Sequence, residues 1–102
     1  MALFLITYHG MAYPDIEYAT ASRKSFRAWA KEALGDALVE FGAPLLQSGQ
    51  MAVGQPADAV EIDGYSIIRA RSYGEARAML EGHPFLKEGG TIQINECMEV
   101  DA

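Results

Sequence analysis

The longest regular pattern in the sequence is an apolar stripe with helical spacing, and it limits the chain to folds that contain an amphipathic helix. Apolar residues recur three or four positions apart at Phe26, Trp29, Ala30, Ala33, Leu34, Ala37, Leu38 and Phe41. Residues spaced in this way share one face of a helix, which must be buried against another element. Gly42 and Pro44 follow the stripe and provide a stop. We predict a helix that begins at Ser22 and continues to Phe41, after a loop over residues 11–21.

Four segments are predicted to be strands. Residues 2–8 form a continuous apolar run that ends at His9 and Gly10, as in a strand covered on both faces. Residues 65–70 are rich in Tyr and Ile, and residues 91–100 alternate with a period of two. A further strand is predicted over residues 45–53, followed by an acidic surface loop over residues 54–64.

A second helix is predicted after the third strand. Ser72 and Glu75 have the spacing of a capping box, in which the two residues satisfy free backbone groups at a helix start. The helix carries Ala76, Met79 and Leu80, and it is expected to stop near Gly82-His83-Pro84.

The resulting order β-α-β-β-α-β predicts an α+β, ferredoxin-like fold over residues 1–102 as a single domain. Right-handed crossovers place both helices on one face of a four-stranded antiparallel sheet. The first strand, however, is apolar on both sides, with Phe4 and Ile6 on one and Leu3 and Leu5 on the other. The helices can cover only one of these faces. An exposed apolar sheet face indicates an interface, so we predict a homodimer that forms a dimeric α+β barrel.

Charge and cysteine content exclude several classes of protein. Fourteen acidic and eight basic residues give a net charge of −6, which disfavours nucleic acid and anionic membranes as partners. No stretch approaches the length of a membrane span, and the apolar N-terminus lacks the basic lead of a signal peptide. The single cysteine, Cys97, permits no intrachain disulfide, so we expect a cytoplasmic protein.

Two stretches carry a resemblance to a known family. Residues 64–100 (GYSIIRARSYGEARAMLEGHPFLKEGGTIQINECMEV) resemble the second half of YCII-related proteins, in particular the DGPF-domain branch. Residues 26–49 (FRAWAKEALGDALVEFGAPLLQSG) are similar to that branch's first helix and the turn after it. The resemblance implies a dimeric α+β barrel. Most members have no assigned activity, some are thought to be enzymes, and some occur with alternative sigma factors.

The sequence departs from the family pattern in two places. The literal Asp-Gly-Pro-Phe motif is missing, and only Asp63-Gly64 stands near its position. The family's first helix holds a His that is proposed to act with an Asp, whereas here that helix contains Phe26 and Trp29 and no His. The acid–base pair is therefore not carried over to this chain.

His9 and Glu96 are the candidate catalytic residues. His9 ends the first strand, where a side chain can face a cleft and act as a base near neutral pH, or can simply hydrogen-bond the loop. Glu96 occupies the apolar side of the last strand, so it is expected to line a polar cavity or to pair with a cation such as Arg69 or Arg71. A structural ion pair at the dimer seam and a role in a site both remain open.

Tyr8, Tyr65 and His83 are the candidate ligand-binding residues. His83 lies at the predicted stop of the second helix, where a cation would suit the helix dipole, so structural capping is the alternative to a role in binding. Phe26 and Trp29 are expected to pack in the core rather than line a pocket. No ligand spacing for a metal is present, so we expect no metal and no cofactor.

Two functions are compatible with these features. The first is a cofactor-free enzyme that binds a small molecule in a cleft of the barrel. The second is a non-catalytic regulatory protein that acts with a transcription factor such as a sigma factor. The scarcity of acid–base residues favours the regulatory protein, and the carboxylate of Glu96 on the apolar side of the last strand favours the enzyme.

Overall fold

The structure is a computed structural model that describes residues 1–13 and 15–100. Its elements follow in the order β1 (Ala2–His9), α1 (Ile16–Ala33), a 3-10 turn (Gly35–Ala37), β2 (Leu38–Glu40), β3 (Gly64–Ala70), α2 (Tyr73–Leu80), α3 (Pro84–Lys87) and β4 (Thr91–Glu96). The strands pair antiparallel in the order β2-β3-β1-β4. This arrangement confirms the predicted α+β, ferredoxin-like fold. No helix among the described residues is both long and apolar enough to cross a membrane.

The register of the sheet sorts the side chains of β1 onto two faces. Phe4 lies opposite Ile68 on β3 and Glu96 on β4, and Tyr8 lies opposite Gly64 and Ile92. Directly opposed residues project to the same side of a sheet. The even-numbered residues of β1, β3 and β4 therefore face the helices, and the odd-numbered ones face away.

The core lies between the even-numbered face and the helices. Its buried apolar members are Phe4, Ile6, Tyr8, Phe26, Ala30, Leu34, Ile68, Ala70, Ala76, Leu80 and Phe85. Phe26 is fully buried and Trp29 packs against the cluster, as predicted for both. The core thus draws on all three helices and both central strands.

No helix formed by residues 1–13 or 15–100 covers the odd-numbered face, which we call the bare sheet face. It carries Leu3, Leu5, Tyr65 and Ile67. Leu5, Tyr65 and Ile67 are half-buried, and Leu3 is 39% exposed. The prediction of an apolar sheet face left open by the helices is confirmed.

The boundaries predicted for the first helix are wrong at both ends. Asp15 accepts a hydrogen bond from the backbone N–H of Tyr18 and caps α1, so the helix starts at Ile16 instead of Ser22. It ends at Ala33, shortly before Gly35, whose φ of +50° is left-handed and breaks the helix. The end of the apolar stripe, Leu38 to Phe41, lies in β2 and just after it, because an edge strand packed on the same core also needs apolar residues.

The predicted strand over residues 45–53 is also wrong, because β2 is the short segment Leu38–Glu40. Pairing along this edge ends at an isolated bridge between Pro44 and Gly64. Residues 45–62, which we call the arm, contain no helix or strand and are almost entirely exposed. The loop predicted over residues 54–64 is irregular up to residue 63, as expected.

The second half of the chain agrees closely with its predictions. Ser72 caps α2 by accepting a hydrogen bond from Glu75 N–H at 3.1 Å. The Glu75 carboxylate accepts from the N–H of Arg71, one residue before the cap, at 3.2 Å. The final strand stops at Glu96, earlier than predicted, and its pairing with β1 ends at the Phe4–Glu96 pair.

Candidate functional site

A cavity of about 100 Å³ opens at the end of β1, between the N-terminal half of α1 and the start of β3. It is lined by Tyr8, Met11, Tyr13, Ala19, Arg23, Pro44, Asp63, Gly64 and Phe85. Among the described residues, most of this wall is apolar, with one cation and one carboxylate. A concave apolar site with a few polar groups is the usual form of a small-molecule site.

Tyr8 forms the floor of the cavity and begins a chain of hydrogen bonds. Its hydroxyl donates to Ser66 Oγ at 2.7 Å, and Ser66 Oγ donates to the carbonyl oxygen of Phe41 at 2.7 Å. Burial raises the pKa of the Tyr8 phenol to about 12, against a smaller lowering effect of the bond to Ser66. Tyr8 is therefore a neutral phenol held in one position.

His83 lies behind Tyr8 and is completely buried. Its Nδ1 accepts a hydrogen bond from the Phe85 N–H at 3.1 Å, so the proton of the neutral ring is on Nε2, which faces the Tyr8 hydroxyl at 3.4 Å. Aromatic rings surround it, with centroid distances of 4.6 Å to Phe26 and 4.7 Å to Trp29. Burial lowers the pKa of His83 to about 4.

This environment corrects the role predicted for His83. It is a neutral cap at the start of α3 rather than a cation at the end of α2. The reason is desolvation, which favours the uncharged ring. His83 is also not among the residues that line the cavity, and its ring packs against Tyr8 with the centroids 5.2 Å apart.

Arg23 projects from α1 and supplies the cation of the cavity. Its guanidinium lies 4.4 Å from the centroid of the Phe41 ring and donates to the Gly42 carbonyl oxygen at 3.4 Å. Among the described residues, no carboxylate oxygen lies within 4.0 Å of it. Burial and the neighbouring Arg27 lower the pKa of Arg23, but a guanidinium stays charged in proteins. Several of its five N–H donors are therefore free for a ligand.

Asp63 supplies the carboxylate and is held from three sides. Its Oδ2 accepts from the Met11 N–H at 3.0 Å. Its own N–H donates to the Tyr8 carbonyl at 2.7 Å, and its carbonyl accepts from the Leu45 N–H at 2.9 Å. The other carboxylate oxygen has no hydrogen bond within the described chain, so it is available to a molecule in the cavity.

Tyr13 stands at the outer wall of the same cavity. Burial is the main reason why the pKa of its phenol is raised, and the Glu88 carboxylate contributes to the same direction. Glu88 itself accepts a hydrogen bond from Ser22 Oγ at 3.0 Å. The Tyr13 hydroxyl is therefore a neutral group that can donate to an oxygen atom of a bound molecule.

The two predicted catalytic residues do not come together within one chain. His9 pairs with Thr91 on β4 and Glu96 pairs with Phe4, so they are five residues apart along β1, about 17 Å at the rise of a strand. They also belong to opposite faces of the sheet. His9 binds the Glu61 carbonyl through Nδ1 at 2.9 Å and the Thr7 hydroxyl through Nε2 at 2.8 Å.

Glu96 is on the helix side of the sheet, as the alternation predicted, but it is exposed. It is the last residue of β4, which lies at the edge of the sheet. Arg69 pairs with Leu3 and so lies on the bare sheet face, and Arg71 is bound to Glu75 at 3.8 Å. The expectation of a buried Glu96 with an arginine partner is wrong within one chain.

The predicted ligand-binding residues separate in the same way. Tyr8 lines the cavity and His83 supports it, whereas Tyr65 pairs with Thr7 and belongs to the bare sheet face. Sequence reasoning missed Arg23 and Asp63 as site residues. Asp63-Gly64 directly before a strand was a usable signal, since polar residues at strand ends often face clefts. Arg23 gave no such signal, because exposed helical arginines are common.

Comparisons with known proteins agree with this architecture. The 5-chloro-2-hydroxyhydroquinone dehydrochlorinase of Burkholderia phenoliruptrix AC1100, solved in complex with 2,5-dihydroxybenzoquinone, superposes with a TM-score of 0.54 and 23% sequence identity. The match covers 89% of this chain and 90% of that one. No protein-family model matches the chain, and no curated protein sequence matches it. At this identity the comparison establishes a shared fold.

Proposed function

We propose that this protein binds a small anionic molecule with a hydroxylated, quinone-like ring in the cavity beside Tyr8, and that it is a cofactor-free enzyme. The observation that carries the proposal is the presence of both Arg23 and Asp63 in the wall of one apolar, tyrosine-lined cavity. A cation and a carboxylate that are not paired with each other suit a ligand that offers both a negative oxygen and a hydroxyl.

The size of the cavity agrees with a single ring. An enclosed apolar cavity of about 150 Å³ takes up benzene. A ring in this smaller, open cavity of about 100 Å³ would be in contact with Tyr8 and Phe85 and would keep one edge at the mouth. The superposed dehydrochlorinase binds a ring of this kind, 2,5-dihydroxybenzoquinone, in its own structure.

The proposed chemistry assigns one task to each polar group. Arg23 donates to the negative oxygen of the ring, and Tyr13 donates to a second oxygen. The free oxygen of Asp63 accepts a proton from a ring hydroxyl or from a ring carbon next to it. Tyr8 holds the ring by edge contacts, and His83 positions Tyr8 through the hydrogen bond between Nε2 and the phenol. His9, Glu96 and Tyr65 take no part in this site in the same subunit.

We further propose that two copies pack through their bare sheet faces and that the protein is a diverged YCII-related protein of the DGPF-domain branch. The half-exposed Leu3 and the neighbouring Leu5 and Ile67 support the packing. The family assignment is supported by the residues quoted above and by the shared fold.

The test is a titration of the protein with 2,5-dihydroxybenzoquinone, in which binding is measured by calorimetry and by the change in ligand absorbance. Arg23→Gln is expected to weaken binding at least about 30-fold, because one charge-assisted bond is lost. Arg27→Gln is the matched control. Arg27 also stacks on Phe41, at 4.3 Å, but it does not line the cavity, so its variant should bind as the parent does.

An equal loss in both variants would show that stacking on Phe41, and not the cavity, determines the effect. The absence of any binding to the parent protein would favour the non-catalytic regulatory alternative. Release of chloride from 5-chloro-2-hydroxyhydroquinone without added metal or cofactor tests the enzymatic part of the proposal directly.

A further inference from the structure

The arm, residues 45–62, exposes apolar side chains that are not buried against the rest of its own chain. Leu46 and Val60 are 91% and 72% exposed, and Met51 and Val53 are fully exposed. An irregular segment of a monomeric protein normally presents polar residues to solvent. These side chains therefore indicate that the arm is covered by something else.

The two limbs of the arm are held together. Gln50 Nε2 donates to the Ala57 carbonyl oxygen at 3.2 Å across the arm, and Leu45 N–H donates to the Asp63 carbonyl at its base, at 2.9 Å. A shallow apolar groove lies between the limbs and is lined by Leu45, Leu46, Gln47, Val60 and Ile62. The arm is thus a defined projection with an apolar surface.

The dimensions of the molecule agree with an arm that extends away from the core. The radius of gyration is 14.9 Å, compared with about 13 Å for a compact domain of this length. The molecule measures 45 × 41 × 18 Å, so it is a broad, thin slab. A projection from a slab of this shape can reach across the edge of a second copy packed on the bare sheet face.

We propose that the arm of each subunit packs on the partner subunit, at the rim of the partner's bare sheet face. The inference rests on the dimer proposed above and identifies a second part of its interface. The occupant of the arm's apolar surface is a second copy of this chain.

The size of the bare sheet face supports this. The strands β1 to β4 have 8, 3, 7 and 6 residues, and at about 3.3 Å per residue and about 4.8 Å between strands they present a plane of roughly 380 Å². A stable interface buries about 800 Å² on each partner. Part of the face is also polar, because β4 contributes Gln93 and Asn95, whose side chains bond to each other at 3.0 Å. The sheet face alone is therefore too small, and the apolar arm supplies the missing area.

The charges of the arm and of the bare sheet face also favour a second copy of the chain as the partner. The arm contains the acidic residues Asp58 and Glu61 and no Lys or Arg. The bare sheet face carries the exposed Arg69, which lies beside Leu3. Opposite charges at the rim of an interface fix its register and favour encounter of the two copies.

The test compares two double variants of the full chain that each add two negative charges to the arm. Met51→Glu with Val53→Glu places the charges at apolar positions, and Ser48→Glu with Gln55→Glu places them at exposed polar positions. Sedimentation over a dilution series should show a dimer dissociation constant raised at least about tenfold in the first variant, because charges are desolvated at the contact. The second variant should dimerise as the parent does.

Binding of 2,5-dihydroxybenzoquinone, measured on the same proteins, separates this inference from the proposed function. The cavity is built from one chain, so the arm variant should still bind the probe as a weaker dimer. Unchanged dimerisation of the Met51/Val53 variant, with the parent a dimer, would overturn the arm contact alone. Hydrogen exchange gives a second measure, since protection of residues 45–62 should rise with protein concentration. Protection that depends on the probe but not on protein concentration would identify the arm as a lid on its own cavity and overturn the inference.

Discussion

Tyr8 on β1 donates a 2.7 Å hydrogen bond to Ser66 Oγ on β3, and this bond fixes the floor of the cavity. The same phenol oxygen faces Nε2 of the buried His83 at 3.4 Å. One side chain therefore connects two central strands and α3, directly below the polar groups that we assign to the ligand. The position of the floor depends on core contacts rather than on the ligand.

Replacement of Tyr8 by Phe should destabilise the protein by about 1–3 kcal/mol, because the buried His83 Nε2–H loses its partner. Tyr73→Phe is the control, since Tyr73 is 52% exposed and such changes usually stay within about 0.5 kcal/mol. Urea unfolding of both variants measures the difference. Equal stabilities would contradict a structural role for the phenol hydroxyl.

Stability should depend on pH through His83. Burial lowers its pKa from 6.5 to about 4 in the folded state, so the unfolded chain binds a proton first as the pH falls. The contribution of the neutral His83 ring to the free energy of unfolding is fully present above about pH 6.5. About 3 kcal/mol of this free energy is lost as the pH falls from about 6.5 to 4. His83→Asn keeps an acceptor for the Phe85 N–H and cannot titrate. The free energy of unfolding of this variant should change less between pH 6.5 and 4 than that of the parent protein. If the two proteins show the same dependence on pH, His83 is not the group responsible.

Asp63→Asn should remove the proposed base and leave the fold intact, because the amide oxygen can still accept from Met11 N–H. We expect a loss of about 10²–10⁴ in kcat for a substrate of the proposed class, the usual size of a general-base contribution. Asp58→Asn makes the same chemical change in the arm, away from the cavity, and should retain activity. Full activity of the Asp63 variant would assign the base to another residue.

Gly42→Ala should destabilise the protein more than Gly54→Ala. Both glycines have left-handed φ angles, +83° and +87°, so both variants share a backbone cost of about 1–2 kcal/mol. An added Cβ at Gly42 would also overlap the Tyr65 carbonyl oxygen, whereas nothing lies within 4 Å at Gly54. Overpacking should add about 1–3 kcal/mol at Gly42. Thermal unfolding of the two variants tests the difference, and equal losses would show that the clash relaxes.

The parent protein should scatter light as a particle of about twice the 11.1 kDa chain mass at micromolar concentration. Ile67→Lys places a charge on the bare sheet face and should give a folded monomer, because a lysine cannot be buried there without a partner. Ala28→Lys, on the exposed side of α1, should remain dimeric. If the parent protein is a stable monomer with a cooperative thermal unfolding transition, the prediction of a dimeric α+β barrel is wrong.

The order of elements could be predicted because each strong element carries its own local signal. Alternation in the last strand, the capping residues Ser72 and Glu75, and the apolar run at the start act over a few neighbouring positions. The second strand was missed because Leu38–Glu40 is only three residues long and continues the apolar stripe of α1. A short edge strand is formed by its pairing with β3, and that pairing is not visible in local periodicity.

The candidate site shows the same division. Tyr8 and His83 were both selected from the sequence, but their contact depends on a turn that brings α3 back onto β1. Glu96 was selected as a polar residue on an apolar face, and it proved exposed at the end of β4, a strand at the edge of the sheet. Arg23 and Asp63 are 40 positions apart in the chain, and no spacing rule connects them.

The sequence by itself determined the fold class and the presence of a second apolar sheet face, because hydrophobic periodicity and helix caps act locally and depend on residue type alone. The tertiary structure decided which polar groups share a cavity and which histidine is neutral. Those properties arise from desolvation and from contacts between residues far apart in the chain. They are set only when the strands have paired and the helices have closed over one face.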